Sequence, residues 1–312
     1  MNRNRKRGLL FCIAVLALLT IGYYDTKPNK TIVSSGIKSS PINILCLVLA
    51  RQNGTDLQQA IIDTWGSGCA HLIFLFANNS LTESQLIERQ PNIYSLFLPV
   101  EEHFDNTWMK IRAAMHYIHT KWSKKFDWLL RIDDDAFVIF ENLRTLITAL
   151  HPNQPIMFGS HYPILYGGYI GTGPGILVSR GAFNNLMKVF DNSAVCKTTL
   201  RTHNDDVQLG ACLRGAKVPF GKSSDDQNRP RYISISVHHM LNATTDEHKF
   251  FKQYSAYPIG KGLDCCADEL IALHYTSASD IRLYYQRMQE HPNSKKSLKL
   301  FVTGIETPRS LE

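Results

Sequence analysis

Residues 127–139 read DWLLRIDDDAFVI, an apolar strand pattern that runs straight into three aspartates, Asp133, Asp134 and Asp135. A short apolar run bounded by polar residues is the signature of a strand buried on both faces. The same signature recurs upstream in INILCLVLA (42–50), HLIFLFA (71–77) and NIYSLFL (92–98). Between these runs TDLQQAIIDTWG (55–66) reads as helical. In NTWMKIRAAMHYIHTKW (106–122) the large apolar residues Trp108, Ile111, Met115, Ile118 and Trp122 fall at helical spacing. Strands alternating with helices predict an α/β domain with a mainly parallel sheet and right-handed crossovers. Ligands of such sheets bind beyond the carboxyl ends of the strands, and the triple aspartate falls there.

The N-terminal end carries a different signal. MNRNRKR (1–7) holds Arg3, Arg5, Lys6 and Arg7 without an acid, and the apolar run GLLFCIAVLALLTIGYY (8–24) follows. A basic flank ahead of an apolar segment predicts a cytoplasmic N-terminus and a single-pass signal-anchor. The alternative is a cleaved signal peptide, whose apolar core is shorter, and no small-x-small cleavage site follows the run. Residues 25–41 are polar and rich in Lys, Ser, Thr and Pro, the composition of a stem. A lumenal catalytic domain is expected over 42–295, and a poorly ordered tail over 296–312.

Two further features agree with a lumenal address. Sequons occur at Asn29, Asn53, Asn78 and Asn242, all after the apolar run. Six cysteines also follow it, Cys46, Cys69, Cys196, Cys212, Cys265 and Cys266, an even set that reads as three disulfides in an oxidising compartment. The connectivity stays open, including whether Cys265 and Cys266 bridge each other. The formal charge of +7 owes four charges to the first seven residues, leaving +3 for the rest. No lysine–arginine run interleaved with aromatics occurs there, so the sequence does not read as a nucleic-acid binder.

Three adjacent carboxylates repel one another, and burial sharpens the repulsion. A hard divalent cation resolves it. In a D-x-D pattern Asp133 and Asp135 can face one ion and the diphosphate it carries, whereas a solvated acidic turn would need neither.

The stretch LLRIDDDAFVIFENLRTLI resembles the nucleotide-sugar motif of the β1,3-glycosyltransferases of family 31, in particular the core 1 β1,3-galactosyltransferases. The likeness continues through PIMFGSHYP, GYIGTGPGILVSRGAF, NDDVQLGACLRG and GLDCCADELIALHYTSASD. The paired cysteines ahead of a strand ending in His-Tyr are its most specific part. The resemblance implies a GT-A fold, a Mn²⁺ cofactor and UDP-galactose as donor. It also implies inverting transfer to the 3-hydroxyl of GalNAc on Ser or Thr of glycoproteins, Golgi residence through the N-terminal helix, and homodimers.

Carried over by residue, it makes Asp133, Asp135 and His274 the metal ligands, with Asp133 and Asp134 facing the donor. Lys110 would touch the donor phosphates, where a surface lysine on an amphipathic helix is the alternative. Gly171, Gly173 and Gly175 would let backbone approach the substrate. Inversion by single displacement needs a base opposite the departing UDP. Asp206 takes that role, supported by Asp205, although an aspartate at a helix start also serves as an N-cap.

Two departures fall on the acceptor side. The family loop Ser-Gly-Gly-Ala-Gly-Tyr is here Gly171-Thr172-Gly173-Pro174-Gly175-Ile176. A Trp-Tyr-Trp run is replaced by Phe250-Phe251-Lys252-Gln253-Tyr254. An acceptor site unlike that of the family is therefore expected. The rival readings are a fringe-like β1,3-N-acetylglucosaminyltransferase and a non-catalytic folding partner related to core 1 synthase. The intact acidic pairs speak against the second.

Overall fold

The computed structural model describes residues 42–242, 244–260 and 262–302. The expected cytoplasmic tail (1–7), anchor (8–24) and stem (25–41) lie outside the described residues, as does 303–312. Among the described residues no helix is long and apolar enough to cross a membrane.

Each apolar run forms the expected strand. The chain proceeds through β1 (Ile44–Leu49), α1 (Thr55–Asp63), β2 (His71–Ala77), β3 (Gln85–Gln90), β4 (Ile93–Leu98), α2 (Thr107–Trp122) and β5 (Trp128–Asp133). It continues with β6 (Phe137–Val138), α3 (Phe140–Ile147), β7 (Met157–Phe158), β8 (Ser160–Tyr162), β9 (Tyr169–Gly171), β10 (Ile176–Ser179) and α4 (Arg180–Val189). Then come α5 (Asp205–Gly215), β11 (Tyr232–Ile233), α6 (Val237–Leu241), α7 (Asp246–Tyr254), β12 (Ala272–Leu273), α8 (Ala278–Glu290) and α9 (Leu298–Val302).

The main sheet has the order β3-β4-β2-β1-β5-β10-β7. Its centre, β4-β2-β1-β5, is parallel as expected. The flanks are antiparallel: β3 beside β4, and β10 with β7 beyond β5. The polar edge strand β3 carries no apolar run, which is why the sequence reading passes over it. A second sheet, β11-β12-β6, brings β12 alongside the segment that leaves β5.

The two faces of the main sheet are covered separately. Trp128, Leu130 and Ile132 belong to one apolar layer, with Ile44, Cys46 and Val48 of β1. Leu129 belongs to the other, with Leu45, Leu47 and the buried faces of α2, α4 and α5. That division is the two-residue alternation of a strand. The six downstream cysteines pair as Cys46–Cys69, Cys196–Cys212 and Cys265–Cys266, the three bridges expected.

One expectation is corrected. Residues 296–302 are not a loose tail: Lys296 is buried, and α9 places Leu298 and Phe301 in the core. Phe301 meets the rings of Phe137 and Tyr284 at 5.6 and 5.1 Å. The helix is only five residues long, so its own periodicity is too short to register; partners distant in sequence hold it. Replacing Phe301 with Ala should cost about 3–5 kcal/mol, measured by denaturant unfolding. A loss below about 1 kcal/mol would return this segment to the status of a tail.

Candidate active site

The strand alternation that sorts the core also sorts charge. Arg131 shares the face of Leu129, and Asp133 follows two residues later on the same side. Arg131 is fully buried. Its Nη1 donates to Asp133 Oδ1 at 2.7 Å and to the Thr172 carbonyl at 3.2 Å. Its Nη2 lies 2.8 Å from Asp205 Oδ2, on the first residue of α5. One guanidinium thus touches the end of β5, the glycine loop between β9 and β10, and the start of a helix.

Asp133, Asp135 and His274 converge at the carboxyl end of β5. His274 Nε2 lies 3.0 Å from Asp135 Oδ1 and 3.5 Å from Asp133 Oδ2. One ligand atom from each of the three lies within 4.8 Å of the others, the spacing of a metal-ligand set. His274 arrives through pairing of β12 with β6, the strand just after the aspartates. Thr276 seals the junction, its N–H and hydroxyl both donating to the Asp135 carbonyl. A β-carbon at Gly173 would come within 2.2 Å of the His274 ring, so the loop lies directly on the imidazole. Gly175 has φ +101°, in the left-handed region that suits glycine. The close approaches of the three predicted glycines are to Tyr162 and Ser234 at Gly171, to His274 at Gly173 and to Leu130 at Gly175.

Electrostatics follow from burial and pairing. Burial opposes the charged form of Asp133, but Arg131 and His274 outweigh it and hold the carboxyl below the usual range. Burial also opposes the imidazolium of His274, yet its bonds to Asp133 and Asp135 raise it to about 9. Burial pushes Asp205 up to about 7 in spite of Arg131, because one guanidinium serves Asp133 as well. Asp206 is raised by burial too, against a hydrogen bond from the Val207 N–H at 2.7 Å. Four carboxylates, Asp133, Asp135, Asp205 and Asp206, therefore crowd around one arginine and one histidine. That imbalance is what a divalent cation between Asp133, Asp135 and His274 would relieve.

Two sequence-predicted residues lie apart from this group. Asp134 turns back from Asp133 and Asp135: its Oδ2 accepts the Arg51 N–H at 3.3 Å in the loop after β1. Burial raises its pKa to about 6. Lys110 is not a surface lysine. It is buried, and its Nζ donates to both oxygens of Glu102 at 2.8 and 3.0 Å. Glu102 also accepts the Ala77 N–H at the end of β2. Asp205 and Asp206 open α5 behind Asn204 at the cap position, with no capping bond from that asparagine. Carboxylates in a first turn are favoured by the helix dipole.

The sequence reading missed Arg131, although a lone charge inside an apolar strand was its available signal. It also missed an aromatic rim. A cavity of about 750 Å³ beside His274 is lined by Tyr162, Ser234, His239, Glu247, Phe250 and Tyr275. Tyr275 packs its ring 3.9 Å from that of His274 and has φ +55°, an unusual backbone for an aromatic residue. Burial raises the pKa of both Tyr162 and Tyr275, and the charge of Asp206 adds to it, so Asp206 lies within electrostatic reach of the cavity wall.

Comparison with known proteins supplies context for this geometry. A family model described as Fringe-like matches residues 53–225. Glycoprotein-N-acetylgalactosamine 3-beta-galactosyltransferase 1 of Xenopus laevis is 30% identical over 257 residues, covering 81% of this chain and 68% of that one. Beta-1,3-glucosyltransferase of Mus musculus is 27% identical over 125 residues, 39% of this chain and 24% of that one. The apo-form glycosyltransferase GlyE in Streptococcus pneumoniae TIGR4 superposes with a TM-score of 0.41 at 12% identity, over 76% of this chain and 55% of that one.

His274 yields a pH test with two opposite trends. Its raised pKa adds stability to the metal-free protein that is complete below about 6.5 and lost as pH rises toward about 9. A divalent cation bound there must displace the same proton, so its affinity should rise across that interval. Thermal unfolding without metal and Mn²⁺ titration at several pH values read the two trends. His274→Asn should abolish both, and their persistence in that variant would remove His274 from the ligand set.

Proposed function

The chain belongs to the Fringe-like family of family-31 glycosyltransferases, and from that premise we propose that it is an inverting β1,3-galactosyltransferase. Its donor would be UDP-galactose and its acceptor GalNAc linked to Ser or Thr of glycoproteins. The observation that carries the reading is the meeting of two acidic groups in one cleft: Asp133 and Asp135 with His274, and Asp205 with Asp206, joined through Arg131. The similarity to a glycoprotein-N-acetylgalactosamine 3-beta-galactosyltransferase over most of the chain supports the choice of sugar and acceptor. An absent metal group would favour the non-catalytic reading; here its three side chains are assembled.

Asp133, Asp135 and His274 would hold the cation, a mixed oxygen and nitrogen set that fits Mn²⁺. When bound, it offsets the charge that develops on the leaving diphosphate. The chain's own groups do the rest. Asp206 accepts the proton of the acceptor hydroxyl; burial brings its carboxyl closer to the operating pH, where a base works best. Asp205, tied to Arg131, fixes the turn that carries Asp206. The acceptor enters the aromatic cavity, where Phe250 and Tyr275, both substantially exposed, offer faces to the apolar side of a sugar. Phe250 stands in the segment that departs from the family, which fits an acceptor site of this chain's own design.

The test uses the full chain in detergent with Mn²⁺, UDP-galactose, UDP-N-acetylglucosamine, and GalNAc-peptide or fucosyl-peptide acceptors. Galactose should pass to the GalNAc-peptide. Asp206→Asn should lower kcat by about 10²–10⁴-fold, and Asp135→Asn should abolish Mn²⁺ dependence. Phe250→Ala should raise acceptor KM about tenfold, roughly 1.4 kcal/mol of lost contact, with donor KM unchanged. Transfer of N-acetylglucosamine to the fucosyl-peptide would move the reading to a fringe-type activity. UDP binding without transfer would move it to a folding partner.

We further propose residence in the Golgi membrane as a single-pass type II protein, supported by the basic-then-apolar N-terminus, the sequons and the three disulfides. In cells the chain should be sensitive to endoglycosidase and protected from protease in sealed vesicles. Protease access to the folded domain would reverse that orientation.

A further inference from the structure

The ligand set ends β5 and the acidic pair begins α5, so the two halves of the site ride on separate elements. Displacement at a sugar carbon is sensitive to misplacement of base against leaving group on the scale of about 1 Å. Packing of a helix on a sheet does not by itself fix two side chains that closely. Something must set the separation.

Arg131 is placed to do so. Its Nη1 donates to Asp133 and the Thr172 carbonyl, its Nη2 lies 2.8 Å from Asp205 Oδ2 as an ion pair without hydrogen-bond geometry, and Nε has no hydrogen-bond partner. The guanidinium therefore acts through its two terminal nitrogens, by hydrogen bonds from Nη1 and by charge from Nη2. With Oδ1 taken by Arg131, Asp133 presents Oδ2 to His274. With Asp205 pinned, the next residue of the same first turn, Asp206, is held toward the cleft. The surroundings make this restraint stiff, since Arg131 is sealed from water that would compete for these contacts.

Its presence also has a cost that a filler would avoid. The neighbours Leu129, Leu130 and Ile132 are buried apolar residues, and a buried ionic group is often no more stabilising than an apolar one of similar size. A charge is retained where geometry matters. A lysine would keep the charge but supply one mobile point in place of a rigid fork.

We propose that Arg131 is the positioning residue of this site: its fork holds Asp133 and Asp205 in one frame, registering the metal–donor side against the base on α5. This rests on the reading of Asp206 as base. A simple counter-charge would tolerate Lys; a positioning fork would not.

The experiment compares the full chain with Arg131→Lys, Asp205→Asn and the double variant. Mn²⁺ affinity in the presence of UDP is read by the electron paramagnetic resonance signal of free Mn²⁺, alongside kcat, acceptor KM and the unfolding midpoint. Arg131→Lys should weaken Mn²⁺ binding about tenfold and lower kcat about 10–100-fold, with acceptor KM changed less than about twofold. Asp205→Asn should lower kcat about tenfold with Mn²⁺ affinity unchanged, and that effect should vanish in the Arg131→Lys background, because both changes break one link. Wild-type Mn²⁺ affinity and kcat in a folded Arg131→Lys variant, or additive effects in the double variant, would overturn the proposal. If Arg131→Lys does not fold, Asp205→Asn decides, and an unchanged kcat overturns it. If the parent chain transfers no sugar, the functional reading fails separately, while the Mn²⁺ arm still decides whether Arg131 orders Asp133.

Discussion

The guanidinium of Arg131, enclosed between Asp133 and Asp205, is the interaction on which the rest of the site depends. It is in contact with two members of an acidic cluster that would otherwise push itself apart. Burial makes each of those carboxylates harder to keep charged, and Arg131 offsets that only in part. Asp133 is held low, while Asp205 is left high. The division follows from geometry. Asp133 also has His274 beside it, whereas Asp205 shares its one cation with another acid and has Asp206 next in the chain.

Around that contact three stretches of chain converge. The turn after β5 brings Asp135, the second sheet brings His274, and the loop between β9 and β10 lies over the imidazole with no side chain at Gly173 to hold it off. Each is anchored by main-chain bonds. The Asp133 N–H donates to the Gly173 carbonyl, and the Thr276 N–H to the Asp135 carbonyl. Ligand-set geometry therefore depends on backbone that is already paired, which favours a site formed before any cation arrives.

The aromatic rim has a different character. Tyr162 is buried and stacks with Tyr169 at 5.2 Å, while Phe250 and Tyr275 remain open to solvent. A rigid, buried inner ring and exposed outer rings suit a cleft that must be wetted when empty and covered when filled. Aromatic rings line this side of the molecule, and ion pairs join the other. Metal and donor chemistry restrict residue choice to carboxylates, imidazole and a fork of donors.

Much of this was legible along the chain. Apolar runs of strand length announced β1, β2, β4 and β5 within a residue or two, and the acids beyond β5 marked the ligand edge, because a strand's period and its end are local properties. The motif ending in His274 and the pair Asp205-Asp206 were legible through resemblance. Hidden were β3, α9, the burial of Lys110 against Glu102, and the turning of Asp134 toward Arg51. Those depend on which partner arrives from elsewhere.

The sequence by itself determined an α/β sheet, its acidic edge and the residue types available for chemistry there. The tertiary structure decided which carboxylate faces which partner. It also decided that Arg131 joins β5 to α5, that His274 closes the ligand set, and that Phe250 reaches the cavity rim. Periodicity places a side chain on a face of its own element. The distance from that face to another element is set by sheet pairing and core packing, which involve residues far apart in the chain.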